Sequence, residues 1–261
     1  MMKTILLDLF IAVIISLFGL SCESDPISSS NSGDSNLPED NNNVDPLVIT
    51  DIDGNEYQTV RIGSQLWTVG DLRTTKYNDG SSISLVTEDT AWSLCVTDAY
   101  CSYKNDNNSE AIRKYGLIYN WYAVNTGKLA PVGWRVPTID DWNTLRDYLI
   151  SNGYNWDGTT SGDKVAKAIA SQTEWKSCDT AGTIGNDLSK NNKSGFTALP
   201  DGSRYANGIF GNRGLMSHWW SSTPTYASRV FAIFLSYENQ AMEVHNQQKT
   251  KGFAVRIIKE N

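Results

Sequence analysis

The order of elements along the chain predicts an α+β domain, with two helices packed on short antiparallel strands and joined by long loops. Three observations carry the prediction. Two short alternating runs near residues 57–69 read as a β-hairpin, one strongly and one weakly helical segment lie between residues 138 and 175, and the stretch after Gly195 holds several strand-length runs rich in β-branched and aromatic residues. Like elements follow one another instead of alternating, which argues against an α/β fold with a parallel sheet.

The first hairpin is read from "LVITDIDGNEYQTVRIGSQLWTVGDL", where "DG" and "GS" mark turns, Tyr57, Val60 and Ile62 fit one strand, and Leu66, Trp67 and Val69 fit the next. The segment from Arg73 to Ala111 is polar and mixed, and predicts long loops with a short strand or two. The clearest helix follows in "GWRVPTIDDWNTLRDYLISNGY". Thr138 is its N-cap, Asp141 occupies the capping-box position, Ile139, Trp142, Leu145 and Leu149 share a face, and Gly153 is the stop. Asp140 and Asp141 do not face each other as an acid-base pair would; their place in the first turn is accounted for by the helix dipole. A weaker helix is expected in "SGDKVAKAIASQTEW", with Val165 and Ile169 four apart. The loop "KSCDTAGTIGNDLSKNNKSG" has oxygen donors but no calcium-loop spacing, so a solvated loop is expected. Strands are then expected in "GFTALPDGSRY", "HWWSST", "SRVFAIFLSY", "AMEVHNQ" and "KGFAVRIIKE".

Three regions differ in composition. Residues 1–21 read as an export signal, because "MMK" precedes an apolar run that Asp8 interrupts and that is shorter than the roughly 20 residues a membrane-spanning helix needs. The small residues Gly19 and Ser21 precede Cys22, as at the cleavage site of bacterial lipoproteins, which makes Cys22 the expected lipid anchor and the outer membrane the expected location. Gly19 stands where that pattern usually has Leu. Residues 22–46 contain no basic and almost no apolar residue, so they form the expected tether. The early acids of "CESD" resemble the export signal of surface-displayed bacterial lipoproteins, a resemblance that implies display on the cell exterior. Residues 47–261 form the domain. With Lys3, Asp8 and the six acids from Glu23 to Asp45 set aside, the chain's 22 basic and 29 acidic residues become 21 and 22. That near-neutral balance argues against a nucleic-acid surface, which would need clustered Lys and Arg.

Cys95, Cys101 and Cys178 remain in the domain. Cys95 and Cys101 are the candidate disulfide, around "CVTDAYC"; either could instead pair with Cys178, and one thiol is left over in every case. A nucleophilic Cys would need a neighbouring base, and the chain has only two histidines, His218 and His245.

Taken in order, "YGLIYNWYAV", "GWRVPTIDDWNTL", "GFTALPDGSR", "HWWSST" and "GFAVRIIK" resemble the Fibrobacter succinogenes major paralogous domain, a module of bacterial surface lipoproteins, over residues 52–259. A fainter likeness, in "WRVPTIDDW" and "GFAVR", is to the C-type lectin-like superfamily, including sulfatase-modifying domains. It implies a C-type lectin-like fold with the chain ends close together. It does not carry over that fold's chemistry: no Cys follows Cys178, two histidines are too few for an iron site, and Ser221 and Ser222 stand where calcium-binding lectins have their ligating Asn and Asp.

The resulting expectation is a cell-surface binding module for a glycan or a protein partner, without catalysis, metal or cofactor. The alternative is a structural or assembly component of a surface complex. An enzyme of the sulfatase-modifying type fits least, since no catalytic constellation or phosphate loop is visible. Late loops and strand ends supply the candidate ligand-binding residues Arg213, His218, Trp219, Tyr226, Asn239 and Glu243. Most residues in such positions are packing or solvated charges. In "HWWSST" alternation sends Trp219 and Trp220 to opposite faces. Trp220 is expected in the core, where truncation to Ala would cost about 3 to 5 kcal/mol, and Trp219 is expected to be exposed.

Overall fold

The computed structural model describes residues 48–260. The expected signal, tether and lipid-anchor Cys22 lie outside the described residues.

The strands are β1 (Val48–Thr50), β2 (Glu56–Ile62), β3 (Gln65–Thr68), β4 (Tyr100–Cys101), β5 (Ile118–Asn120), β6 (Trp134–Arg135), β7 (Ser203–Arg204), β8 (Phe210–Gly211), β9 (Met216–Tyr226), β10 (Arg229–Ser236), β11 (Glu243–Gln248), β12 (Gly252–Phe253) and β13 (Ile258–Lys259). They form three sheets, in the orders β1-β2-β3-β13-β6, β11-β10-β9 and β4-β5-β12-β7-β8. The helices are α1 (Asp89–Ser93), α2 (Ser109–Tyr115), α3 (Trp121–Val124), α4 (Ile139–Ser151) and α5 (Ala166–Ile169). Among the described residues only α4 is longer than two turns. This corrects the α+β expectation: the domain is β-rich, and the predicted C-type lectin-like arrangement of two helices on one set of strands gives way to three sheets.

The local signals with a strong physical cause are found where they were expected. β2 and β3 pair as a hairpin from Thr59 with Thr68 to Ile62 with Gln65. In α4, the Thr138 side chain accepts from the Asp141 N–H while Asp141 Oδ2 accepts from the Thr138 N–H at 2.7 Å, and Trp142, Leu145 and Leu149 are buried. Asp141 also binds Arg135 through both guanidinium nitrogens, so the capping carboxylate fastens α4 to β6. The weaker helix shrinks to the four residues of α5. Its C-terminal side is drawn out by hydrogen bonds between backbone atoms of Ile169, Ser171 and Ala198, which replace the next helical turn. The expected terminal strand "KGFAVRIIKE" is split into β12 and β13, with Ala254–Ile257 crossing between sheets.

Strand β9 explains both tryptophans. It pairs with β10, placing Trp219 opposite Ile233 and Trp220 opposite Ala232, and on its other edge it exchanges hydrogen bonds with Ala254. Alternation does send the two rings to opposite faces, but each face is covered. Trp220 joins the core containing Tyr119, Trp121 and Phe253, whereas Trp219 joins the core containing Trp67, Trp142 and Phe196. The rings of Trp67 and Trp142 are 4.8 Å apart, Trp142 and Trp219 5.8 Å, and Phe196 meets Trp219 edge-on at 5.9 Å. The expected exposure of Trp219 is therefore corrected, because a strand between two cores has no solvent face. Trp219→Ala is therefore expected to cost as much as Trp220→Ala, about 3 to 5 kcal/mol.

Each indole N–H also has a partner: Trp220 donates to the Tyr119 carbonyl and Trp219 to Asp71 Oδ1, both at 2.8 Å. Trp219→Phe, which removes that donor together with the volume of the indole's second ring, is expected to lower unfolding stability by about 2–4 kcal/mol. A urea titration measures this, and an unchanged midpoint would show that neither the bond nor the packing of that ring contributes net stability.

Candidate functional site

The six residues expected to form a late-loop site do not converge. Arg213 is held between the rings of Tyr103 and Tyr115, at 4.1 Å from each centroid. His218 and Trp219 are buried. Tyr226 is exposed at the tip of the β9–β10 hairpin, at the far end of the strand from Met216 and Arg213. Asn239 Nδ2 donates to Glu243 Oε1 at 2.6 Å, while Asn239 Oδ1 accepts from the Gln240 backbone, so this pair closes the turn into β11. The expected bridge between Cys95 and Cys101 is also absent. All three described thiols are free: Cys95 Sγ donates to the Thr97 carbonyl at 3.3 Å, and burial pushes the enclosed Cys101 thiol up to about 11.

The large concave surface lies elsewhere, between the β2 side of the first sheet and α2. It is a groove of about 1030 Å³. One wall is built by the turn that follows β1. Asp51 Oδ1 accepts from the backbone N–H groups of Asp53 and Asn55, and its Oδ2 accepts from the Tyr57 hydroxyl at 2.7 Å. The same Tyr57 oxygen accepts from the Arg73 N–H, and the Arg73 guanidinium lies 4.5 Å over the Tyr57 ring. The opposite wall is α2, whose N-terminus is capped by Asn108 and which presents Glu110, Arg113 and Lys114 to the groove. Lys114 and Tyr115 both bind Glu174, which fixes the far end of this wall. Gly116 closes α2 at φ +71°; a Cβ there would lie 2.8 Å from Asp71 Cβ and from the Leu72 carbonyl, so glycine is what lets the wall approach the floor.

The floor is a buried ion pair. Arg256 Nε meets Asp71 Oδ1 at 2.5 Å, with the two side chains 1% and 2% exposed. Arg256 also donates to the carbonyls of Thr68, Phe196 and Thr197, and its guanidinium lies 4.4 Å from the Phe196 ring centroid. Asp71 in turn accepts from Trp219. Residues from "GDL", "GFT", "HWW" and "AVR" therefore meet at one point. Beside this pair, burial and the Asp71 charge hold the Asp201 carboxyl well above the usual carboxylate range. A floor locked in this way, with exposed Arg113 and Glu110 above it, suits noncovalent recognition. Among the described residues no three His, Cys, Asp or Glu side chains converge as a metal site would require, and no helix is long and apolar enough to cross a membrane.

A β-rich domain whose scattered motifs meet in a buried ion pair beneath an open groove defines the class of protein. The family model described as Fibrobacter succinogenes major domain matches residues 60–259, and the chain belongs to that family. No curated protein and no solved structure matches it.

Sequence reasoning missed the groove because its α2 wall starts within the polar stretch from Arg73 to Ala111, where loop is expected, and runs only four residues beyond it. One signal was available: Asn108 followed by "SEAIRKY" is an N-cap with an acid in the first turn and bases in the last.

Proposed function

We propose that this chain is a surface lipoprotein, acylated at Cys22 and held off the outer membrane by residues 22–46, whose domain binds a glycan through the groove between β2 and α2. Membership of the family supports a surface-associated domain. The observation that carries the binding reading is the groove itself, a concave surface whose floor is anchored by the Asp71–Arg256 ion pair and whose rim offers Arg73, Glu110 and Arg113 to the hydroxyls of a ligand. The binding needs neither catalysis nor a cofactor.

A glycan array probed with residues 45–261 tests this. The variant carrying Arg73→Ala and Arg113→Ala is expected to bind its glycan about tenfold more weakly, or roughly 1.4 kcal/mol, with an unchanged circular dichroism spectrum. Equal binding by the variant, or no binding by the parent at high concentration, would count against the groove. A role in assembly is the second reading. It is favoured by Leu85, Leu94 and Val96, three exposed apolar side chains near α1. Cross-linking on intact cells that returns one stoichiometric protein partner would support it.

A further inference from the structure

Eight of the nine tryptophans are buried, and Trp156 is the exception at 43% exposure. Its ring is nevertheless held in place. Nε1 donates to Gln240 Oε1 at 3.1 Å, and Gly182 lies so close to the indole that a Cβ there would come within 2.2 Å of it. With φ +80°, Gly182 occupies a conformation and a space that only glycine fits. A fixed, half-exposed indole is thus presented to a second pocket, of about 390 Å³, which Tyr154 also lines.

The charged side chains lining this pocket are all cationic: Lys167, Lys190 and Lys193. Lys167 is buried and donates to the carbonyls of Thr183, Asn186 and Asp187, none of which neutralises its charge. Burial lowers its pKa, with the Asp187 carboxylate opposing. Lys193 Nζ lies 4.9 Å from the Tyr154 ring centroid and donates to the Gly153 carbonyl at 3.2 Å, which leaves N–H groups for a ligand. Lys190 meets Asp187 at 3.2 Å in a solvent-exposed pair that costs little to open. This concentration of positive charge stands out in a domain whose overall balance is near neutral.

A ligand for this pocket needs a face of weakly positive C–H groups to lie on the negative face of the indole, and an anionic group to meet the lysines. We infer that the pocket binds an acidic sugar, with a uronate pyranose ring against Trp156 and its carboxylate at Lys193 and Lys190. The site is separate from the groove and shares with the proposed function only the choice of a carbohydrate ligand.

The test uses the full chain in detergent, titrated calorimetrically with an α-1,4-linked galacturonate trisaccharide and with the neutral galactose trisaccharide of the same linkage. The acidic sugar is expected to bind at least about tenfold more tightly, and to lose affinity as salt rises from about 50 to about 500 mM. Trp156→Ala should weaken it about tenfold or more, and Lys193→Gln, an exposed position whose replacement leaves the fold intact, should remove most of the preference for the acidic sugar. Equal binding of the two sugars, binding of neither, or undiminished binding in both variants overturns the inference. The Arg73→Ala, Arg113→Ala variant keeps uronate binding if the pocket is the site. If that variant loses it while Trp156→Ala keeps it, the pocket is excluded and the groove stands.

Discussion

Replacing Arg256 by Met should cost about 3–5 kcal/mol of unfolding free energy, a large part of the stability of an ordinary domain. The change leaves Asp71 with its charge buried and only the Trp219 N–H as a partner at Oδ1, and it strips a donor from the carbonyls of Thr68, Phe196 and Thr197. Those carbonyls belong to the end of β3 and to the segment after Gly195, so the damage spreads to two segments that Arg256 ties by hydrogen bonds beside the Trp67–Phe196 ring contact. The double variant Asp71→Leu, Arg256→Met no longer buries an unpaired charge and is expected to recover a substantial part of the loss. Urea denaturation of the two single variants and the double variant gives the coupling directly. Additive losses would mean that the ion pair is incidental and that Arg256 acts only through its carbonyl bonds.

The same ion pair shows where sequence reading stops. Asp71 and Arg256 are 185 positions apart, and each alone has the appearance of an ordinary surface charge. By contrast, α4 was legible because the Thr138 to Asp141 box and the spacing of Trp142, Leu145 and Leu149 act within one helix. The β2–β3 hairpin was legible because a two-residue turn fixes its register. Alternation in "HWWSST" was read correctly, but the exposure inferred from it was not, since pattern alone does not say whether a second layer covers the other face. The same limit applies to the ligand residues. Nothing in sequence distinguishes Trp156 from the eight buried tryptophans; its exposure depends on Gly182 and Gln240. His218 and Trp219 looked like a polar strand end only because Phe234, Phe253 and Asp71, which enclose them, are distant in sequence.

His218 is expected to control acid stability, and His218→Phe to remove most of that control. The imidazole is 2% exposed, stacked 4.9 Å from Phe253 and edge-on 4.4 Å from Phe234, and its Nδ1 has no hydrogen-bond partner. Burial first, then the positive charges of Lys251 and His245, lower its pKa to about 3 against an ordinary 6.5, with the Gly202 backbone opposing. The unfolded chain therefore takes up a proton near pH 6.5 while the native state refuses it until near pH 3. The stabilisation from a neutral His218 is fully present above the unfolded value and is lost as pH falls towards the folded one. On that shift the loss from about pH 7 to about pH 4 is about 3 kcal/mol, to order of magnitude. Phe keeps an aromatic ring between Phe234 and Phe253 but cannot be protonated, so the variant should lose that much less stability over the same range, even if tighter packing costs it about 1–3 kcal/mol at neutral pH. Denaturant titrations of both proteins across this range separate the two effects, because the packing cost shifts the whole curve and the proton changes its slope. Parallel curves would mean that the domain opens locally to solvate His218 before it unfolds, and that carboxylates alone set the acid limit.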